Sequence, residues 1–311
     1  MPKRNVAKDL VVAKKRNNPF HLGVGLGLRR EHFGSLLDLY KNQLPPEIAW
    51  FEVAPENYME IGGKVYRDFC HLAERIPIVA HSVSMSLGSL DPLNRPFFNS
   101  LKKFIRKHKM PLASDHISFS SYNGVQFDDL LPLPSTEESV KYISKRIRQV
   151  SDILEVPFAV ENPSYYAPAG APDPCYMKEE DFISEIVKES GALLLLDVNN
   201  IFVNSVNHKF DPHTYLKKLP LDRIAYVHMA GHYRKKEDFI LDTHGSEIIH
   251  PVWKLLDELA SMTQLPGVMI ERDDDIPPIE ELTKELRQVH KILKKYPKNV
   301  FQTPELLDVV A

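Results

Sequence analysis

Short apolar runs, each bounded by turn residues, recur along the chain. Several are nearly continuous in apolar side chains, as in ALLLLDV and IAYVHM. Continuous runs of this length are typical of parallel strands that are buried on both faces. The predicted strands cover residues 21–28, 48–55, 76–82, 110–118, 156–163, 192–200, 223–232 and 266–273.

Most gaps between these strands contain a stretch with helical periodicity. The predicted helices cover residues 31–42, 94–109, 139–154, 248–262 and 279–295. Alternating strands and helices predict an α/β protein, and eight repeats predict a (β/α)8 TIM barrel. An open nucleotide-binding sheet is the competing fold. It is disfavoured because Gly23, Gly25 and Gly27 lack the third glycine of the G-x-G-x-x-G fingerprint, whose place is taken by Leu28.

No linker or change in composition divides the chain, which predicts one catalytic barrel domain over residues 21–300. The first 20 residues are basic and carry only short apolar pieces, so we expect a disordered extension. Residues 301–311 are predicted to be a C-terminal tail.

Charge and hydropathy exclude several classes of function. The 39 basic and 42 acidic residues give a net charge of −3, which provides no general reason to bind nucleic acid or an anionic membrane. No apolar run approaches the roughly 18 residues that a membrane span requires. A cytoplasmic protein is therefore expected.

The chain has 13 histidines but only two cysteines, Cys70 and Cys175. This composition excludes a disulfide scaffold and a thiolate zinc site. Any metal site would be built from nitrogen and oxygen ligands.

Histidine and acidic residues concentrate where the predicted strands end, which is the end of a TIM barrel that carries the active site. Alone, each could be a hydrogen-bonded structural group, and the Asn and Asp residues could serve turns. Together they predict a metal centre, because buried carboxylates and imidazoles are costly unless they are paired or metal-bound. The candidates are Glu52, His81, Asp115, His116, Glu161, Asn162, Asp197, Asn199, Asn200, His228, His232, Asp242, His244, Glu271, Arg272 and Asp273.

These donors exceed what one tetrahedral ion needs, so a multinuclear site of iron, manganese, cobalt or zinc is predicted. Asp242 and His244 are two residues apart and are expected to share one face of an extended segment. His208 is expected in a loop on the mouth side, where it could line a substrate pocket.

Nine segments of the chain carry a resemblance to a known family. They are GVGLGLR, FEVAPENYM, AHSVSMSLGS, SDHISFS, VENPSYY, LLDVNNIFVNSVNH, VHMAGH, LDTHG and IERD. In these segments the sequence resembles the DUF692 group of multinuclear non-heme iron-dependent oxidative enzymes. The resemblance covers about four-fifths of the chain, in the expected order.

The resemblance implies a fold like that of xylose isomerase and oxygen-dependent modification of a cysteine in a ribosomally made peptide, as in methanobactin biosynthesis. It implies two or three iron ions in a mixed Fe(II)/Fe(III) state, with Glu161 as the bridging ligand. The implied metal ligands are His81, His116, Glu161, Asn200, His228, Asp242, His244 and Glu271.

Asp197 is either a further ligand or a group that orients Asn200 and His228. The residues expected to support the ligands or contact substrate are Glu52, Asp115, Asn162, Asp197, Asn199, His208, His232 and Arg272. The expected partners are a cysteine-bearing precursor peptide and a separate protein that recruits its leader.

Two alternatives remain open from the sequence. One is a zinc- or manganese-dependent sugar isomerase or hydrolase on the same barrel, which rests on fold analogy. The other is a non-catalytic peptide- or metal-binding protein.

Overall fold

The computed structural model describes residues 21–40, 45–167, 169 and 173–299. The predicted basic extension and the predicted C-terminal tail lie outside these residues. Within the described chain, no helix is both long and apolar enough to cross a membrane.

The strands form a closed barrel, which confirms the predicted fold. Going round the barrel, the order is β1, β12, β9, β8, β7, β4, β3 and β2, and every neighbouring pair is parallel. The strand bounds are β1 Gly23–Gly27, β2 Trp50–Val53, β3 Ile78–His81, β4 Ala113–His116, β5 Phe119–Tyr122, β6 Val125–Leu131, β7 Phe158–Glu161, β8 Leu193–Asp197, β9 Ile224–Met229, β10 Tyr233–Lys236, β11 Phe239–Leu241 and β12 Gly267–Ile270.

Strands β5 and β6 pair as an antiparallel hairpin, and so do β10 and β11. Both hairpins follow barrel strands, after β4 and β9, and therefore rise from the end of the barrel at which active sites form. The sequence analysis predicted neither hairpin, because polar residues interrupt their strands, as in YRKK and VQFDDLL, and leave no continuous apolar run.

Helices pack round the outside of the barrel, and all five predicted helices are present. The helix bounds in the described chain are α1 Phe33–Tyr40, α2 Gly63–Ala73, α3 Arg95–Lys107, α4 Glu137–Leu154, α5 Glu179–Ser190, α6 Val198–His208, α7 Pro212–Lys218, α8 His250–Met262 and α9 Ile279–Leu293. Single 3-10 turns lie at Arg30–His32, Pro55–Asn57, Leu221–Arg223 and Pro297–Asn299.

The prediction for residues 192–200 was wrong at its end. Strand β8 stops at Asp197, whose side chain accepts a 2.6 Å hydrogen bond from the Asn200 backbone N–H and so caps helix α6. Asn199 and Asn200 consequently lie in the first turn of a helix. His208 lies in the last turn of the same helix rather than in a loop.

The barrel interior has its own apolar cluster, separate from the larger core between barrel and helices. Trp50 is its largest member. Its indole donates a 3.1 Å hydrogen bond to the Gly23 carbonyl and meets the Tyr226 ring edge to face at 5.2 Å. A Cβ atom on Gly25 would lie 2.4 Å from the indole ring, so glycine at this position provides the space for Trp50.

We expect Gly25→Ala to destabilise the fold by about 1–3 kcal/mol, because Trp50 is fixed on both sides and cannot yield to the added methyl group. The measurement is chemical denaturation. The matched control is Gly34→Ala in helix α1, where a Cβ atom meets nothing within 4 Å. Equal stability of the two variants would contradict the role assigned to Gly25.

Candidate metal centre

The donors at the barrel mouth lie directly above the apolar cluster inside the barrel that contains Trp50, which we call the floor. Side chains alternate along a strand, so the residue two positions beyond each floor residue also points inward. On six strands that residue is acidic or a histidine. The pairs are Trp50 and Glu52, Val79 and His81, Ala159 and Glu161, Leu195 and Asp197, Tyr226 and His228, and Met269 and Glu271. Because side chains alternate along each strand, these six side chains lie at the same height along the barrel axis.

Glu161 lies at the centre of the first donor group. Its Oε2 atom is 3.1 Å from His81 Nε2 and 3.3 Å from His116 Nε2. On its other side, Oε1 lies 3.4 Å from Asn200 Nδ2 and 3.7 Å from His228 Nδ1. One carboxylate thus faces donors from four other elements, as a bridging ligand would.

A second donor group gathers round Glu271. Its Oε2 atom lies 3.0 Å from His228 Nδ1 and 3.1 Å from His244 Nδ1. The Oδ2 atom of Asp197 is 3.8 Å from His228 Nδ1 and 3.6 Å from His244 Nε2. His228 contacts both Glu161 and Glu271, so the two groups adjoin.

The chemistry of these donors fits bound metal ions. Several of their buried polar atoms make no hydrogen bond of acceptable geometry among the described residues, although oppositely charged groups lie close by. Orphaned buried polar atoms are costly unless something else satisfies them. The atoms are Glu161 Oε2, Asp197 Oδ2, Asn200 Oδ1, His228 Nδ1, and both Nδ1 and Nε2 of His244. Nitrogen and oxygen donors without thiolate suit iron, manganese or zinc.

The shifted pKa values of these buried groups also indicate that the site needs positive charge. Burial opposes charge on His116, yet Glu161 and Asp115 raise its pKa to about 9. Burial likewise opposes charge on Glu161, but the surrounding imidazoles lower its pKa to about 2. Burial raises the pKa of Asp197 well above its usual range, and nearby carboxylates add to the effect. Protons on imidazoles balance the carboxylates here, a role that a metal ion would take over.

Residues predicted to support the ligands do so in several cases. Asp115 accepts hydrogen bonds from the Met85 and His116 backbone N–H groups at 2.8 and 2.6 Å. The Asn162 side chain pairs with the backbone of Asp197 through two 2.9 Å bonds. These contacts fix strand ends that carry donors.

Asp242 and His244 meet, but not on an extended segment as predicted. Strand β11 ends before them, and His244 has a φ of 49°, which places it in the left-handed region. The resulting turn puts His244 Nε2 2.8 Å from Asp242 Oδ1. Asn199 donates to the same oxygen at 2.7 Å and in turn contacts His232 Nδ1 at 2.8 Å. His232 thus supports Asp242 rather than joining the donors.

Two of the predicted residues point away from the donors. Arg272 forms a 2.6 Å ion pair with Glu285 on helix α9. His208 contacts the Tyr165 carbonyl at 2.9 Å and stacks on the Tyr165 ring. Neither lines the cavity at the barrel mouth.

Arg29 is a site residue that sequence reasoning missed. Its Nη2 atom lies 3.2 Å from Glu271 Oε1 and also bonds Asp273, while Nε donates to the Arg272 carbonyl at 2.7 Å. Arg29 continues the inward alternation of Gly25 and Gly27 on strand β1, and this period-two pattern was the available signal.

A cavity of about 600 Å³ opens above the donors. Its rim combines charged, polar and apolar side chains, among them the exposed Val83 and Tyr166. The Tyr166 hydroxyl accepts a 3.0 Å hydrogen bond from the Asp242 N–H, so the rim is tied to a predicted ligand.

Glu179 lies outside the cavity and supports the rim segment that contains Ser164. It accepts hydrogen bonds from Tyr165 at 3.1 Å and from Asn204 at 3.2 Å. Burial raises its pKa to about 7. Asn204 also bonds the backbone of Pro163 and Tyr165, which flank Ser164, and Ser164 donates to Asp242 Oδ2 at 2.9 Å.

Comparison with known proteins gives a family match over most of the chain. Residues 23–294 match the family model described as RiPP precursor modification enzyme MbnB/TglH/ChrH. A UPF0276 protein of Shewanella sediminis is 46% identical over 268 residues, which cover 86% of this chain and 93% of the relative. A UPF0276 protein of Pseudomonas aeruginosa PAO1 is 39% identical and covers 89% and 94%.

Solved structures that resemble this chain share its fold. A xylose isomerase domain protein from Planctomyces limnophilus has a TM-score of 0.54 at 12% identity, covering 89% of this chain and 99% of that one. Endonuclease IV from Thermus thermophilus has a TM-score of 0.52 at 15% identity, covering 88% and 99%. The predicted xylose isomerase-like barrel is thereby confirmed.

We expect Glu161→Gln and His116→Ala each to weaken metal binding at least tenfold, because each removes a donor from the first group. The measurement is anaerobic titration of metal-free protein with Fe(II), followed by metal analysis. The matched controls are Glu138→Gln and His71→Ala, both at exposed helix positions. Variants that retain wild-type metal content would argue against this site.

Glu179→Gln tests the support behind the mouth. The folded-state pKa of Glu179 exceeds its ordinary value of 4.5, so the folded protein binds more protons and wild-type stability falls as pH rises from about 4.5 to 7. Glutamine does not titrate, so the stability of the variant does not show this fall with pH. Its melting temperature relative to wild type should therefore increase between pH 5 and pH 8, by a few degrees. A pH-independent difference would contradict the raised pKa.

Proposed function

Because the chain belongs to the MbnB/TglH/ChrH family of RiPP precursor modification enzymes, we propose that it uses a multinuclear iron centre and dioxygen to oxidise a cysteine of a ribosomally synthesised peptide. The observation that carries the proposal is the set of orphaned buried donor atoms beneath one open cavity. Family membership supplies the peptide substrate, and the donors supply a place for the metal.

The two donor groups assign residues to the proposed ions. His81, His116 and Glu161 would hold one ion, since their donor atoms lie within 4.8 Å of one another. His244, Glu271 and Asp197 meet the same criterion and would hold a second. Asp197 Oδ1 caps helix α6, whereas Oδ2 has no hydrogen-bond partner among the described residues, which favours a ligand role over a purely orienting one.

Other residues of the predicted set complete the coordination. His228 lies between the groups, and its unbonded Nδ1 faces both Glu161 and Glu271. The free Oδ1 atom of Asn200 and the carboxylate of Asp242 are further oxygen donors. Such a set exceeds what one ion needs, in keeping with two or three ions.

Iron bound by these donors would supply open coordination positions for a substrate thiolate and one-electron chemistry with dioxygen. The protein contributes a dry floor, because Trp50, Tyr226 and Met269 are fully buried below the donors. Arg29 offsets the negative charge of Glu271 from the side. Neither chain cysteine lies in the cavity, so the reacting thiol would come from the substrate.

The rim of the cavity suits an extended peptide. Arg30, Asn57 and Asp129 offer polar contacts, and Val83 and Tyr166 offer apolar ones. Such a mixture matches the backbone and side chains of a peptide better than it matches a small polar sugar. A separate protein that recruits the leader is part of the proposal.

The test combines iron-loaded enzyme, prepared without oxygen, with cysteine-bearing precursor peptides encoded beside its gene. We expect a change in peptide mass that requires both iron and oxygen. A peptide whose cysteine is replaced by alanine is the matched control and should stay unchanged.

Two results would overturn the proposal. One is an unmodified cysteine despite full iron occupancy and demonstrated peptide binding in the presence of the recruiting protein. The other is stoichiometric zinc or manganese without iron in protein purified anaerobically, which would favour a sugar isomerase or hydrolase instead.

A further inference from the structure

Buried polar side chains form a continuous chain of contacts beneath the donors. His81 Nδ1 lies 2.9 Å from Ser114 Oγ, and Ser114 Oγ lies 2.9 Å from the Tyr226 hydroxyl. The Tyr226 hydroxyl donates to Glu52 Oε2 at 2.6 Å. The same oxygen lies 2.9 Å from His228 Nε2. The chain begins and ends at imidazoles from different donor groups.

Counting hydrogens fixes the direction of every bond in this chain. The Tyr226 hydroxyl has a single proton, which it donates to Glu52 Oε2 in the shorter of its two contacts, 2.6 Å against 2.9 Å to Ser114 Oγ. The Ser114–Tyr226 contact then needs the proton of Ser114, because otherwise two oxygen lone pairs would face each other at 2.9 Å. The Ala80 carbonyl, at 3.3 Å from Ser114 Oγ, is the poorer alternative acceptor. With its proton committed, Ser114 accepts a bond from His81 Nδ1–H.

The same count fixes which nitrogen of each imidazole is free. His81 commits its Nδ1–H to Ser114, so Nε2, which lies 3.1 Å from Glu161 Oε2, is the nitrogen left for a metal ion. His228 commits its Nε2–H to Glu52, so Nδ1, which lies 3.0 Å from Glu271 Oε2, is the nitrogen at which a metal ion would replace a proton. In both rings the free nitrogen points into the site, as a metal ligand requires.

We propose that Ser114 and Tyr226 are positioning residues that tie the ligand orientation of His81 to that of His228. The inference rests on the metal centre of the proposed function and extends it to residues outside the cavity. The chain of bonds Ser114–Tyr226–Glu52 makes the two donor groups one unit, because a change at either end disturbs hydrogen bonds that the other end shares.

Packing alone would not require these hydroxyl groups. Ser114 and Tyr226 are both fully buried among the apolar floor residues of strands β4 and β9, where alanine and phenylalanine would fill similar space. A buried hydroxyl is costly unless its hydrogen bonds are made. Here the Ser114 hydroxyl bonds the His81 imidazole, and the Tyr226 hydroxyl bonds Ser114 and Glu52, which in turn contacts His228.

The test uses Co(II) as the probe, because its visible absorption bands report the ligand geometry round the ion. We expect Tyr226→Phe and Ser114→Ala each to weaken Co(II) binding by about 10–100-fold and to shift these bands. Since the two hydroxyls share one chain, the double variant should lose much less than the product of the single effects. The matched controls are Tyr142→Phe and Ser144→Ala, whose hydroxyls bond backbone carbonyls elsewhere.

Melting temperatures of the metal-free variants separate positioning from packing. Lowered thermal stability with unchanged Co(II) affinity and spectrum would overturn the proposal, and so would strictly multiplicative effects in the double variant. Ser114→Ala is the smaller change and provides the comparison if Tyr226→Phe does not fold. If the variants lose Co(II) affinity as expected while iron-loaded wild-type protein fails the peptide test described above, the proposed reaction is overturned and the positioning role stands.

Discussion

Burial of like charges at the barrel mouth is the constraint on which the rest of this structure depends. Carboxylates from strands β7, β8 and β12 all lie within 3.8 Å of the His228 imidazole, and all three are buried. Such a cluster is stable only with compensating positive charge. The raised pKa values of His116 and His228 are the metal-free form of that compensation. The hydrogen bonds from Arg29, Asp115 and Asn162 hold Glu271, His116 and Asp197 in positions from which they could bind a common centre.

Much of this arrangement could be predicted from the sequence, because its two periodicities are strong. Nearly continuous apolar runs revealed the parallel strands, and the known polarity of TIM barrels placed their last residues at one mouth. His81, Glu161 and His228 were found in this way. On six strands the floor residue two positions before the acidic residue or histidine lies in the same run, which explains why these six side chains share a level.

The parts that sequence reasoning missed have both local and long-range causes. Asp197 is a favourable N-cap residue, but the apolar run before it extended the predicted strand through Asn200, which in fact lies in the first turn of a helix. Arg29 lies 242 residues from Glu271 in the chain, and only closure of the barrel makes them neighbours. The turn at His244 depends on a positive φ angle that residue type alone does not suggest.

The plugged interior of the barrel has a consequence for how any substrate enters and leaves. Trp50, Tyr226 and Met269 fill the space below the donors without solvent exposure, so no channel runs through the described barrel to its opposite end. Substrate and product must therefore both pass through the mouth of the barrel. A long peptide therefore cannot be threaded past the centre and has to bind from the mouth side, across the rim. The filled floor thus fixes the side from which a reacting group must approach, before any side-chain recognition takes place.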